Sequence, residues 1–147
     1  TGAGLLRTSD GDALANGNKL PLMVLLTCLN GYSHDVFVES LGEAMLLAPN
    51  GGAAAVWSST GMTDPGSQQE MARRLYEQLS GGGLRLGDAL LGAKAVTPNQ
   101  DVRRTWLLLG DPTMEFRWST GAATPVKRLS RQERTGKGSV HHDQQTQ

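Results

Sequence analysis

The chain has 147 residues and a formal net charge of zero, and this length suits one domain or part of one. Its single cysteine, Cys28, excludes an internal disulfide framework and a metal site built from several cysteines. Hydrophobic residues make up 38% of the chain, but no apolar run reaches the ~18 residues of a membrane span, so we predict none.

The two ends of the chain differ from its middle. Residues 1–19 are rich in Gly, Asp, Asn and Ser, which predicts a loop with at most one helical turn. Residues 119–147 hold almost no large apolar side chains, and five basic residues there outnumber two acidic ones. We therefore predict a folded part at 1–118 and a disordered basic tail or linker at 119–147. The tail has no aromatic residue to stack on a base, so we predict no nucleic-acid partner.

Short apolar runs predict the strands. Residues 20–27 are continuously apolar, as in a strand that is buried on both faces of a parallel sheet. Residues 53–57 and 106–109 are two further runs that are too short for helices and end in turn signals. Residues 114–118 alternate in polarity, as an edge or hairpin strand would.

Helical periodicity predicts three helices between these strands. The first begins at Asp35 as its N-cap and carries Val38 on its apolar face. The second begins at Asp64 and Pro65, and the third covers residues 86–96. The resulting order of strand, helix, strand, helix, helix and strand favours an α/β fold with a mainly parallel sheet flanked by helices.

Cys28 is the candidate catalytic residue, because it follows the first predicted strand and precedes an Asn-Gly turn. In parallel sheets, functional groups gather at the carboxyl ends of strands, where turn amides could stabilise a thiolate or an oxyanion. The alternative is a small buried hydrophobic residue. Trp57, Ser58 and Ser59 end the neighbouring strand and could bind substrate in a groove, although ordinary packing also accounts for Trp57.

A cysteine nucleophile needs a base, and the residues assign none. His34 precedes a predicted helix and is typical of an exposed loop histidine, while His141 and His142 in the tail do not define a metal site. Asp111 could orient a catalytic group, but its Gly-Asp-Pro-Thr context favours a turn. We predict neither a metal nor a cofactor.

Several segments together resemble the gingipain-type cysteine peptidases, a family of the caspase-like clan. The similar segments are the nucleophile strand and turn at 20–31, the helix at 39–45, the strand from Gly52, and the stretches 86–89, 93–95, 101–106 and 109–113. The resemblance covers roughly residues 5–118 and corresponds to the C-terminal half of the catalytic domain.

The resemblance implies a caspase-like, mainly parallel sheet that is truncated at its N-terminal side. It also implies a cysteine endopeptidase in which Cys28 forms a thioester with a protein or peptide substrate. The family's base is a histidine in a Gly-His-Gly segment, which this sequence lacks and which we expect upstream of Thr1. The chain alone should then have little activity.

Two further expectations concern partners and location. The resemblance implies the rest of the parent peptidase domain as a partner, and a bacterial enzyme that is secreted or attached to the cell surface. The alternative function is a non-catalytic, peptidase-like domain in cell-surface assembly or sorting, because a fold does not fix a function.

Overall fold

A computed structural model describes residues 6–115 as helices packed against a three-stranded sheet, which confirms the predicted α/β class. Its elements are α1 (Thr8–Asp12), β1 (Leu22–Leu25), α2 (Leu41–Leu46), β2 (Ala55–Ser59), α3 (Pro65–Ser80), α4 (Leu86–Ala95), α5 (Gln100–Thr105) and β3 (Trp106–Gly110). In the predicted strand 114–118, Glu115 forms one antiparallel bridge with Arg85. The rest of that strand and the predicted tail at 119–147 lie outside the described residues.

Strand β2 lies at the centre of the sheet, between β1 and β3. It pairs in parallel with β1 and antiparallel with β3, so the sheet of the described residues is mixed rather than mainly parallel. Parallel pairing brings the carboxyl ends of β1 and β2 to one edge of the sheet. Because Ser59 pairs with Trp106, the start of β3 lies at that same edge, whereas Gly110 lies at the opposite one.

Different helices pack against the two faces of β2. Ala55 and Trp57 pack in a core cluster with residues of α3 and α4, while Val56 packs in a second cluster with Leu25 and with Met45 of α2. This alternation follows from the two-residue period of a strand. None of the helices between residues 6 and 115 has the length and apolar character that crossing a bilayer requires.

Helix α3 begins where the sequence predicts. The Asp64 carboxylate accepts a hydrogen bond from the Ser67 amide at 2.7 Å, and Pro65 occupies the first helical position. Both features suit a helix start. The first backbone amides of a helix have no acceptor within it, and proline has no amide hydrogen that would need one. The helix predicted at 86–96 is also confirmed, as α4, and it ends one residue earlier.

The predicted helix start at Asp35 is wrong. Helix α2 begins after Ser40, whose hydroxyl accepts the Glu43 amide at 3.2 Å while the Glu43 carboxylate accepts the Ser40 amide at 2.9 Å. This reciprocal pair satisfies two helix-end amides, which a cap at Asp35 alone does not. The Asp35 carboxylate instead accepts the Phe37 amide at 2.8 Å in a local turn, and Val38 is exposed.

Candidate active site

Cys28 lies three residues beyond β1, in a turn that packs against the loop after β2. The Leu29 amide donates to the Gly61 carbonyl at 3.3 Å, and the Gly31 amide donates to the Ser59 carbonyl at 2.9 Å. These bonds extend the contact between the two chain segments past the end of the sheet. Cys28 is therefore located beside the carboxyl end of β2, as the parallel pairing predicts.

The turn after Cys28 contains a strained residue. Leu29 has a left-handed backbone with φ of 63°, and it is the one non-glycine residue with positive φ in residues 6–115. This conformation costs an ordinary residue about 1–2 kcal/mol. The Leu29 side chain is 47% exposed, so burial offsets little of that cost. Strain of this kind concentrates at functional sites.

The Cys28 thiol is partly buried and bonds to the backbone of Thr63. The Thr63 amide donates to the sulfur at 3.3 Å, and the thiol donates to the Thr63 carbonyl oxygen at 3.4 Å. The Thr63 hydroxyl and Nε2 of Gln68 each lie 4.0 Å from the sulfur. The thiol is therefore held between the donor and the acceptor of one residue's backbone.

Gln68 supports this arrangement from α3. Its side chain is 3% exposed, and Nε2 donates to the Thr63 carbonyl at 3.0 Å and to the Thr63 hydroxyl. The sequence alone predicts neither Thr63 nor Gln68 as a residue of the site. The available signal was a polar residue on the face of α3 that carries Met71 and Leu75 into the core, since buried polar groups need partners.

Thr105 holds the loop after β2 from its other side. The Thr60 amide and hydroxyl each donate to the Thr105 carbonyl at 2.9 Å, and the Ser59 hydroxyl lies 3.2 Å from the Thr105 hydroxyl. A Cβ added at Gly61 would lie 2.7 Å from Cγ2 of Thr105. The loop at residues 60–63 is thus fixed between the end of α5 and the Cys28 turn.

The three residues predicted to bind substrate are enclosed by the protein. Trp57, Ser58 and Ser59 have no exposed surface, because the central strand is covered on both faces. The Trp57 and Trp106 rings pack edge to face, with centroids 4.8 Å apart. Ser58 lies under Gly31, where an added Cβ would be 2.4 Å from the serine hydroxyl oxygen. Substrate binding by these side chains stays a prediction, and the loop that follows them is partly exposed.

The structure brings no histidine to the sulfur within residues 6–115. His34 is exposed, as expected, and its ring lies 5.5 Å from the Tyr32 ring. The hydrogen-bonding contacts of Cys28 are to Thr63 and Gln68, while His141 and His142 lie outside the described residues. Residues 6–115 also contain no group of three His, Cys, Asp or Glu side chains that could hold a metal ion.

Asp111 forms the turn that its sequence context favours. Its carboxylate accepts the Thr113 hydroxyl at 2.7 Å and the Thr113 amide at 2.8 Å, and these two bonds lower the pKa of Asp111. Asp111 follows Gly110, at the edge of the sheet opposite Cys28. The alternative, in which Asp111 orients a catalytic group beside Cys28, would need a β3 that runs parallel to β2.

Comparison with known proteins identifies the family of this site. A family model described as Peptidase family C25 matches residues 1–117. The chain belongs to this family. It is therefore a cysteine peptidase-like domain, and the resemblance to gingipain-type enzymes is confirmed.

A solved structure supports the same fold. The Arg-specific cysteine proteinase gingipain R is similar to this chain with a TM-score of 0.61 and 25% sequence identity. The similarity covers 75% of this family C25 chain and 29% of the gingipain R chain. No curated protein matches the sequence. The caspase-like α/β class is thus confirmed, over less than a third of the length of gingipain R.

Proposed function

We propose that this domain carries the nucleophile of a cysteine endopeptidase, and that this nucleophile is Cys28. One observation carries the proposal: in a member of a cysteine peptidase family, the thiol lies at the carboxyl edge of β1 and β2 in a turn strained at Leu29. Such a turn holds a side chain at the sheet edge, where a substrate has access.

The proposed reaction begins when a base takes the thiol proton. The bond from the thiol to the Thr63 carbonyl is then lost, while the Thr63 amide remains as a donor to the thiolate. The sulfur attacks the scissile carbonyl carbon, the carbon–nitrogen bond breaks, and the amine leaves with a proton. Water then hydrolyses the thioester, which releases the carboxylic acid and restores Cys28.

The base is proposed to be a histidine that lies outside this sequence, upstream of Thr1. The likeness to gingipain-type enzymes supports this proposal, and the chain covers 29% of gingipain R. The rest of a peptidase domain is accordingly the proposed partner. General-base catalysis contributes about 10²–10⁴-fold, so the 147-residue chain alone should be a poor enzyme.

A protein or peptide substrate is proposed to pass along the loop at residues 60–63, which the buried Trp57, Ser58 and Ser59 support from beneath. Met62 in this loop is 73% exposed and is available for contact. Gingipain R is described as Arg-specific, so an arginine before the scissile bond is the first substrate to test. A secreted or cell-surface location is proposed on the likeness to gingipain-type enzymes.

A second candidate is a non-catalytic, peptidase-like domain that serves assembly or sorting at a cell surface. The observation that favours it is the pairing of the thiol with both polar groups of the Thr63 backbone. A thiol whose hydrogen-bonding groups are satisfied by the backbone in this way is typical of a structural cysteine.

The test compares wild type with Cys28→Ala in the longer protein that this proposal requires. We expect wild type to cleave fluorogenic peptides and Cys28→Ala to lower kcat/KM by at least about 10³-fold. Ser33→Ala, in the exposed segment beyond the turn, serves as the matched control and should retain activity. If Cys28→Ala cleaves as fast as an active wild type, Cys28 is not the nucleophile. If wild type does not cleave and iodoacetamide labels Cys28 only after denaturation, the non-catalytic function replaces the proposed one.

A further inference from the structure

The buried amide of Gln68 has no role in the reaction as described above. It lies on the core face of α3 at 3% exposure, where an apolar side chain would avoid the cost of desolvating an amide. Its donors meet both oxygens of Thr63, the carbonyl and the hydroxyl. Gln68 therefore supports the one residue whose backbone holds the Cys28 thiol.

The electrostatics of this group change when the thiol ionises. The Thr63 carbonyl oxygen accepts both the Gln68 amide, at 3.0 Å, and the Cys28 thiol, at 3.4 Å. After ionisation the thiol bond is lost, and the oxygen faces a negatively charged sulfur. The Gln68 donor then keeps that oxygen bonded and draws electron density away from it, which lessens its repulsion of the thiolate.

We propose that Gln68 is a positioning residue that holds Thr63 against Cys28 and favours the thiolate over the thiol. This inference rests on the proposed function of Cys28 as a nucleophile. Gln68 acts through its two hydrogen bonds to Thr63, while its nitrogen stays 4.0 Å from the sulfur, at the outer limit of a hydrogen bond to sulfur. Its amide keeps the Thr63 N–H aimed at the sulfur and offsets the repulsion between the thiolate and the carbonyl oxygen.

The test uses Gln68→Met, which keeps the length of the side chain but removes its donors, and Gln68→Glu, which replaces them with a carboxylate. Gln69→Met, at the exposed neighbouring position of α3, is the matched control. In the longer protein, the rate of Cys28 alkylation by iodoacetamide is measured against pH, together with kcat and KM for peptide cleavage.

We expect Gln68→Met to lower the alkylation rate at neutral pH by about 3- to 10-fold and to move the rise of the rate to higher pH. The plateau rate at alkaline pH should match wild type, because the ionised sulfur is equally accessible. Gln68→Glu should lower the neutral rate further, and Gln69→Met should not change it. The value of kcat should fall with the alkylation rate, while KM stays the same.

Three outcomes would overturn the inference, and they separate it from the proposed function. If wild type is an active peptidase and Gln68→Met has the wild-type pH profile, Gln68 does not act on the thiol. If the variant lowers the plateau and the neutral rate equally, Gln68 controls access only. If Cys28→Ala is as active as wild type, the proposed function fails as well. Should Gln68→Met fail to fold, Gln68→Asn withdraws the amide by one methylene and is expected to give the same shift.

Discussion

Gly31 and Ser58 meet where the turn after Cys28 packs on β2, and this contact predicts the outcome of Gly31→Ala. An alanine Cβ at position 31 would lie 2.4 Å from the Ser58 hydroxyl oxygen and 3.2 Å from the Ser58 Cβ. Both residues are buried, so relief requires a change of rotamer or a shift of the turn. Overpacking of this kind costs about 1–3 kcal/mol, and we expect the free energy of unfolding to fall by about 2 kcal/mol.

Removal of the Ser58 hydroxyl should relieve this clash. The hydroxyl oxygen is buried and has no hydrogen-bond partner in the described structure, so Ser58→Ala alone should be neutral or stabilising. In the double variant the closest contact named above becomes 3.2 Å between two Cβ atoms. Gly31→Ala should then cost less than about 1 kcal/mol, which gives a coupling energy of at least about 1 kcal/mol.

The free energy of unfolding of wild type, the two single variants and the double variant is measured by urea unfolding. Tryptophan fluorescence reports the transition, since Trp57 and Trp106 are both buried. Gly81→Ala is the matched control: an added Cβ there meets its nearest atom at 3.5 Å, and φ is −70°. It should change stability by no more than about 0.5 kcal/mol. Strictly additive effects of the Gly31 and Ser58 substitutions, or a Gly31→Ala variant as stable as the control, would refute the packing argument.

Three further substitutions test local features. Asp64→Asn keeps an acceptor for Ser67 but removes a carboxylate whose pKa is lowered by the Ser67 amide and then by the Ser67 hydroxyl. The stabilisation by Asp64 is complete above the ordinary pKa of an aspartate and is lost as pH falls through the lowered folded value. The thermal midpoint of Asp64→Asn should therefore depend less on pH in that acid range, and an unchanged slope would contradict this. Leu29→Gly removes the left-handed cost at φ of 63° and should raise the free energy of unfolding in urea by up to about 1 kcal/mol; a loss would show that the leucine packing matters more. Gly110→Ala places a Cβ 2.8 Å from the Ala55 Cβ at φ of 137° and should lower the free energy of unfolding by about 2–3 kcal/mol. A urea midpoint equal to that of wild type would contradict this prediction.

The helices and strands differ in how far the sequence predicts them. The three strands and α3 follow from apolar runs and from the Asp64-Pro65 start, because these signals are local. The start of α2 depends on a choice between two good caps, Asp35 and Ser40, which the reciprocal bonds of Glu43 decide. The sequence pattern does not predict helix α5, because Pro98 and Asn99 are as typical of a loop as of a helix start, whereas the Asn99 side chain caps this helix.

The hydrophobic pattern does not predict the direction in which β3 runs. An apolar run is equally hydrophobic in either direction, so only the path of the chain through α4 and α5 decides how β3 pairs. That direction brings Thr105 to the loop after β2 and takes Asp111 away from it.

The candidate site was predictable in its location but not in its surroundings. A strand end followed by an Asn-Gly turn marks the position of Cys28, and parallel pairing places it beside β2. The contacts of Thr63 and Gln68 arise from tertiary packing, which no local pattern encodes. Trp57 is buried because β2 lies at the centre of the sheet. The strand is central because β3 pairs along its second edge, which no local pattern predicts.

The contacts of Thr105 with residues 59–61 determine when the surroundings of Cys28 form during synthesis of the chain. A ribosome adds about 5–20 residues per second, so several seconds separate Cys28 from the residue that fixes its neighbouring loop. Until Thr105 emerges and β3 pairs, the loop that carries Thr63 lacks one of its anchors. The environment of the thiol is therefore completed late, and a nascent chain that already displays Cys28 does not yet hold it in its mature setting.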